Sequence, residues 1–422
     1  MDHDFQGANG ECALSAAPET DGEPISVRLY QGLDELESLV PLWDDLISHY
    51  PCASIFCTPE WLISWWRSHG KDRNLFVLAF FDSKLQLVAL APFSTSREQF
   101  LGSIRPLVIR LLGDGSRDSD NLDFPARAGF ENMIAIKILE FLYANRKLWD
   151  MAVFNTMPTD SPVAGRLVDR LKLGQWTCLQ DSCDRLTVFL PPTWDEYLKQ
   201  ISTKERRNLA YYGRRLEKQY SVFVYRCTHE SQLAKCLDAL FQMHQARWKQ
   251  AGEPGSFADH VRREFYIELS QRLLARNRLE LWILELDGKI AAAQFGMRYG
   301  TKVYSLQEGY DPAHVSDRVG FLLRGEVLRR LILEGIEIYD FLGGNDEHKA
   351  RWRATLGSYQ NVRFAPRWSK GAILLQSAHR MVTGKEWLRA RLHPSAWRIL
   401  HGANLALRGK KPGLTDSSRE AP

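Results

Sequence analysis

"KVYSLQEGYDPAHVSDRVGFLLRGEVLRRLILEGIEIYDFLGG", residues 302–344, reads as strand, loop, helix and strand. Period-2 alternation in "KVYSLQEGYD" puts Tyr304, Leu306, Glu308 and Tyr310 on one face of the first strand. "FLLRGEVLRRLILEG" repeats apolar residues at helical spacing, and Gly335 suits its C-terminal cap. "IEIYDFLGG" then resumes as a strand in which Asp340 interrupts the apolar row of Ile336 and Ile338. A half-buried carboxylate there needs a partner, for which Lys349, Arg351, Arg353 and the backbone amides of the Gly343-Gly344 turn are the candidates.

Upstream the same kind of order continues. "KERRNLAYYGRRLEKQ" is a basic helix and "SVFVYRC" a strand; "SQLAKCLDALFQMHQARWKQ" and "HVRREFYIELSQRLLARN" are amphipathic helices separated by "AGEPGSFAD". "LELWILELDGKIAAAQFGMRYG" is a hairpin about Asp287-Gly288. An earlier hairpin, "LFVLAFFDSKLQLVALAPFSTSR", is followed by the strand "IRPLVIRLLGDG", the helix "ENMIAIKILEFLYANRK" and the strand "LWDMAVFN". The matching units lie about 190–205 residues apart, which predicts an internal duplication joined near "LPPTWDEY". The expected division is a loose tail over 1–24, one α/β domain over 25–190, a second over 191–366 and a basic extension over 367–422.

Composition narrows the function classes. A 45% hydrophobic, 25% charged chain of 422 residues is globular and long enough for two domains. A net charge of +4 gives no general nucleic-acid signature, and no DNA partner is expected. The seven cysteines include no CxxC pair and none sits beside closely spaced histidines, so reduced thiols and no metal are expected. No apolar run reaches the roughly 18 residues of a membrane span, and the N-terminal stretch lacks the pattern of a signal peptide, so a cytoplasmic protein is expected.

Six strings in order resemble the CelD-like acetyltransferases associated with cellulose or exopolysaccharide biosynthesis: "FCTPEWLISWW", "ISTKERRNLAYYGRRLEK", "MHQARWKQAG", "LDGKIAAA", "EGYD" and "YDFLGGNDEHKARW". The resemblance spans residues 28 to 365. It implies an α/β fold of tandem GNAT-like (acyl-CoA N-acyltransferase) domains, each a mixed twisted sheet flanked by helices. It also implies acetyl-CoA or another acyl-CoA as co-substrate and an amine acceptor, on a small molecule or saccharide. The tandem arrangement resembles the Fem ligases too, which use aminoacyl-tRNA. A catalytically silent scaffold of a polysaccharide-synthesis assembly is the third reading. Where many GNAT enzymes carry Arg/Gln-x-x-Gly-x-Gly/Ala, this chain reads "VSDRVGFLL", and only Gly320 matches.

The residues themselves leave two readings at each position. Arg318, Val319, Gly320 and Phe321 open a helix whose free amides and positive dipole end suit a pyrophosphate, with Ser316 or Asp317 as cap; the same residues also make an ordinary capped surface helix. Glu308 could take a proton from an amine and Tyr310 return one to a thiolate, or they are a solvent-facing acid and a core ring. His244, a second candidate base, and Trp248 share a helical face beside Arg247, lining an acceptor pocket or the edge of the core. Asp340, Asn345 and Lys349 surround an acyl-transfer cleft, or form an internal ion pair. In the first copy Asp114, Asp118, Asp120 and Asp123 stand where phosphate would bind, so that copy shapes the acceptor cleft. The helix with Lys204, Arg206, Arg207, Arg214, Arg215 and Lys218 is a solvated face or an attractor of anions. Residues 367–411 hold ten Lys/Arg and one acid, for contact with anionic membrane or for packing across the domains, with disorder expected from about 409.

Overall fold

A computed structural model describes residues 24–100, 103–250, 255–344 and 347–391. The first copy runs β1 (Ser26–Tyr30), α1 (Leu33–Ser38), α2 (Val40–Ser48), α3 (Pro59–His69), β2 (Asn74–Phe81) and β3 (Leu87–Arg97). It continues with β4 (Leu107–Leu111), α4 (Glu131–Ala144), β5 (Met151–Pro158), α5 (Pro162–Leu171) and β6 (Trp176–Phe189). Helices α6 (Trp194–Gln200) and α7 (Thr203–Gln219) lead to β7 (Val222–Arg226), α8 (Glu230–Gln250), α9 (His260–Ala275), β8 (Leu279–Leu286) and β9 (Lys289–Tyr299). Then come β10 (Lys302–Tyr310), α10 (Val319–Leu333), β11 (Ile338–Gly343), α11 (Glu347–Ala350), β12 (Thr355–Pro366) and α12 (Lys370–Arg391).

All twelve strands form one sheet, in the order β1-β2-β3-β4-β5-β12-β6-β11-β10-β9-β8-β7. Each copy gives its last strand to the other: β6 pairs with β11, and β12 pairs with β5. The exchanged strands meet along a twelve-residue antiparallel ladder, Thr355↔Thr187 to Pro366↔Trp176. The duplication extends to backbone detail, because Thr156 in β5 and Leu342 in β11 both take positive φ, +51° and +62°. Both interrupt their strands at the corresponding point, where the ladder to the exchanged strand slips.

Two large cores flank the sheet, and a smaller third packs Ala372, Leu374 and Leu375 of α12 on β4, β5 and β12. One collects α3, α8 and α9 from both copies, with Trp61 edge-on to Phe265 at 5.2 Å and Phe56 to Tyr304 at 5.5 Å. The other packs Val319, Leu323, Val327 and Leu331 of α10 against Trp282, Val303 and Tyr339. Helix α10 ends as expected, with Gly335 at φ +76° just beyond its cap. Among the described residues no helix is long and apolar enough to cross a membrane. The expected disorder after 409 and nearly all of the 1–24 tail lie outside the described residues.

Candidate active site

Strands β10 and β11 pair in parallel only through Lys302–Tyr304 and Ile338–Asp340. Beyond Tyr304 the two strands part, while β10 continues to Tyr310 on the other neighbour, β9. A β-bulge between Ser305 and Gln307 corrects the expected alternation. Tyr304 and Leu306 face the α8–α9 core, whereas Glu308 and Tyr310 are turned to the α10 side. One extra residue moves every later side chain to the opposite face. Gly309 belongs to the same stretch, since a Cβ there would lie 2.9 Å from the His244 nitrogen and 3.1 Å from the Leu240 oxygen of α8.

The parted strands open toward the start of α10. Neither Ser316 nor Asp317 caps this helix. Residues Pro312–Asp317 form a short 3-10 turn capped by Asp311, and Asp317 bonds His314 at 3.0 Å and Arg215 at 3.4 Å. The N-cap is Arg318, in the left-handed conformation at φ +54°, with no side-chain hydrogen bond to the helix. Asp317 is therefore neutralised away from the amides, and the positive end of α10 is left without a side-chain cap. Val319 is buried in the core, Phe321 packs on Trp352 at 5.0 Å, and Arg318 lies over Tyr212 at 4.9 Å. A Cβ on Gly320 would touch the Tyr310 ring at 3.4 Å, so glycine lets the Tyr310 ring lie close against the start of α10. These residues fit an acyl-CoA. The α10 amides and Arg318 would hold a pyrophosphate, and the edge of β10 left unpaired by β11 would take an extended amide-bearing arm.

Glu308 bonds Arg324 of α10 through Oε2 and lies 3.8 Å from Arg247 of α8 through Oε1. Crowding by protein raises its carboxyl, but Arg324 and then Arg247 outweigh that and hold it below the usual carboxylate range. It remains half-exposed. Arg324 was not anticipated, though its place on the stripe shared with Leu328 and Leu331 was readable. Trp248 Nε1 donates to His244 Nε2 at 3.1 Å, so the two do share a face, and burial with Arg247 and Arg262 lowers this ring to about 4. His244 is thus neutral at physiological pH. Arg247 also approaches the Tyr310 ring, at 5.9 Å.

Asp340 is fully buried and its partner is none of the candidate basic side chains. Arg185 of the exchanged strand β6 binds Oδ2 through Nε at 3.0 Å and Nη2 at 2.5 Å, and the Leu342 amide donates to Oδ1 at 2.8 Å. Ile336 belongs to the α10 core rather than to the face of Asp340. Lys349 instead donates to the carbonyls of Phe341 at 3.1 Å and Gly343 at 2.7 Å, fixing the end of β11. Asn345 lies outside the described residues.

The acidic loop of the first copy buttresses this end of the second. Asp118 takes Arg262 and Tyr266 of α9, the latter at 2.8 Å, and Asp120 accepts from the Gly343 amide at 2.9 Å. Asp123 binds Tyr50 and Ser161, and Asp114 binds Arg110 at 2.7 Å. Burial raises Asp120 to about 6, against the Gly343 amide, Lys349 and Arg185. A carboxyl raised in the fold gains stability on protonation, so acidification from pH 7 to 4 favours the native state at this residue. Asp120→Asn is expected to remove about 1–2 kcal/mol of that gain, discounted for partial exposure, and flatten the urea-denaturation midpoint between pH 4 and 7. An unchanged slope would mean that Asp120 titrates normally.

Among the described residues no three His, Cys, Asp or Glu side chains are grouped to hold a metal ion, and no disulfide forms. Residues 203–350 match the family described as acetyltransferase (GNAT) domain. The match covers about a third of the chain and falls within the second copy of a tandem GNAT-like fold. It is similar to the crystal structure of FemX, at 10% identity and TM-score 0.55 over 83% of this chain and 99% of that one. A conserved protein of unknown function from Bacteroides thetaiotaomicron aligns at 12% identity and TM-score 0.49, over 81% of this chain and 100% of that one. A tandem GNAT protein from the clavulanic acid biosynthesis pathway aligns at 10% and 0.42, over 81% and 98%. At such identities FemX bears on the fold alone. No match to the chain is found among curated proteins.

Proposed function

We propose that the protein is an acyl-CoA-dependent N-acyltransferase of the CelD-like branch, passing an acetyl or longer acyl group to an amine of a saccharide or cell-envelope precursor. The observation that carries this reading is the parting of β10 and β11 beyond Tyr304 and Asp340, with the α10 start, free of a side-chain cap, at the opening. When bound there, the thioester supplies the activated acyl carbon. The acceptor enters between the copies, past Arg247 and Trp248. An alkyl amine titrates near 10 and must lose a proton to attack. Glu308, ionised and half-exposed, takes that proton directly or through water, and the neutral amine then attacks the acyl carbon. Tyr310, on the same face, gives a proton to the sulfur as the carbon–sulfur bond breaks and regains one from the new amide nitrogen. His244, held neutral, lines the acceptor side.

The test is calorimetric titration with acetyl-CoA and a long-chain acyl-CoA, on the wild type and on Gly320→Asp. The substitution places a carboxylate beside the α10 amides, with its Cβ 3.4 Å from the Tyr310 ring, so the melting temperature of the variant is measured alongside. Saturable binding of one thioester, weakened at least ~100-fold by the substitution, is expected. No binding of either thioester by the folded wild type overturns the proposal.

A second reading has support in α7, where Lys204, Arg207, Arg214 and Lys218 form an exposed stripe, and the same helix reaches α10 through Tyr212 and Arg318. Such a stripe favours a polyanionic donor, as in a Fem-like aminoacyl-tRNA transferase. Tight, salt-dependent tRNA binding in place of thioester binding would establish it.

A further inference from the structure

Three adjoining turns close one end of the sheet: 145–150, 172–175 and 367–370. The ladders set them side by side, with Pro366 opposite Trp176 and Phe364 opposite Ala152. The Arg367 amide donates to the Gln175 carbonyl at 2.8 Å, and its guanidinium to the Gly174 carbonyl at 3.4 Å. Beneath them Trp149 stacks on Trp176 at 6.1 Å, and both meet Phe364 edge-on. The floor is rigid, yet what stands on it is apolar and exposed. Leu148 is 67% exposed, Leu173 77%, Trp368 85% and Ile373, in the first turn of α12, 63%. Seven large apolar side chains among the described residues exceed 60% exposure, and four of them share this rim.

Cations are interleaved with them. Arg146, Lys147, Lys172, Arg367 and Lys370 are all exposed here. The acids of the rim are Asp150, which bonds the Leu107 amide at 2.7 Å and faces Lys370 at 3.7 Å, and Asp169, which faces Lys172 at 3.4 Å. We infer that this rim is a docking surface for an anionic lipid bilayer. Separate apolar side chains, each beside a cation, suit insertion among negative headgroups, where an indole such as Trp368 sits favourably. A second copy is disfavoured as occupant, because a symmetric contact would set five cations against five. The sequence after Arg391 also interleaves indole and cations, at Trp397, Arg398, Arg408, Lys410 and Lys411. Nine residues of β6 separate Trp176 from Arg185, about 30 Å, so a docked rim tethers the protein while leaving the Asp340–Glu308 region clear of the bilayer. This inference stands independently of the acyl-transfer reading.

Co-sedimentation of the full chain with phosphatidylcholine vesicles, with and without about 30% phosphatidylglycerol, tests it. Binding to the anionic vesicles alone is expected, falling at least ~tenfold when salt rises from about 0.1 to 1 M. Leu148→Ser/Leu173→Ser/Trp368→Ser should lose at least ~tenfold in partitioning, and Lys147→Gln/Lys172→Gln roughly fivefold per charge, with melting temperatures unchanged because every position is exposed. Absence of binding to anionic vesicles, or equal binding by wild type and the triple variant, overturns the inference. So does a wild-type dimer that the triple variant abolishes, which would assign the rim to a second copy.

Discussion

Arg185→Ala is expected to destabilise the fold by about 3–5 kcal/mol, read as a fall in the urea midpoint. Asp340 has no solvent exposure, and Arg185 supplies both side-chain hydrogen bonds to Oδ2; the Leu342 amide alone cannot balance a buried carboxylate. Burial works against the Arg185 guanidinium, but Asp340 more than restores it and raises its affinity for the proton. Arg185 also lies 5.3 Å from the Tyr359 ring, so stacking on β12 is lost with the charge. The pair joins an exchanged strand of the first copy to β11 of the second, and breaking it acts where the copies interlock. Arg185→Met/Asp340→Leu should recover a large part of the loss, because removing both charges leaves no unpaired ion. A single substitution costing less than about 1 kcal/mol would mean that water or another cation already reaches Asp340.

Glu308→Gln is expected to lower kcat by about 10²–10⁴ with KM little changed, whereas Gly320→Asp should act mainly on KM for the thioester. The amide can still accept from Arg324, so the melting temperature should hold and a folding defect can be separated from a chemical one. Arg324 and Arg247 keep the Glu308 carboxyl below its ordinary range, so it is ionised throughout neutral pH. Wild-type activity should therefore rise toward alkaline pH as the acceptor amine deprotonates, with no separate limb from the enzyme's base above pH about 5. A fall in kcat below about threefold would reduce Glu308 to a counter-ion of Arg324. A limb near pH 6–7 would point to a base other than Glu308.

Much of the local structure was legible before the tertiary fold. The helices 203–219, 230–250, 260–275 and 319–333 and the hairpins about residues 82–86 and 287–288 follow from apolar period, turn residues and Gly335. The expected sheet-and-helix order holds. Other features were not legible. The bulge after Ser305 turns Glu308 and Tyr310 away from Tyr304, and an inserted residue leaves no mark in a composition of alternating type. The α10 cap was misassigned because Asp317 has two basic partners, one of them 102 residues distant, that no local rule supplies.

The sequence by itself determined two related α/β copies, the start of α10 and the strand that carries Glu308 before it, since these rest on contacts within a few residues. Tertiary structure alone decided that β6 and β12 change places, that Arg185 answers Asp340 across 155 residues, and that the acids of the first copy support β11. Strands such as "WTCLQDSCDRLTVF" mix polar and apolar residues and carry no strong period of their own. Their place is fixed by ladders and ion pairs on both sides, whose energies exist only once both copies are assembled.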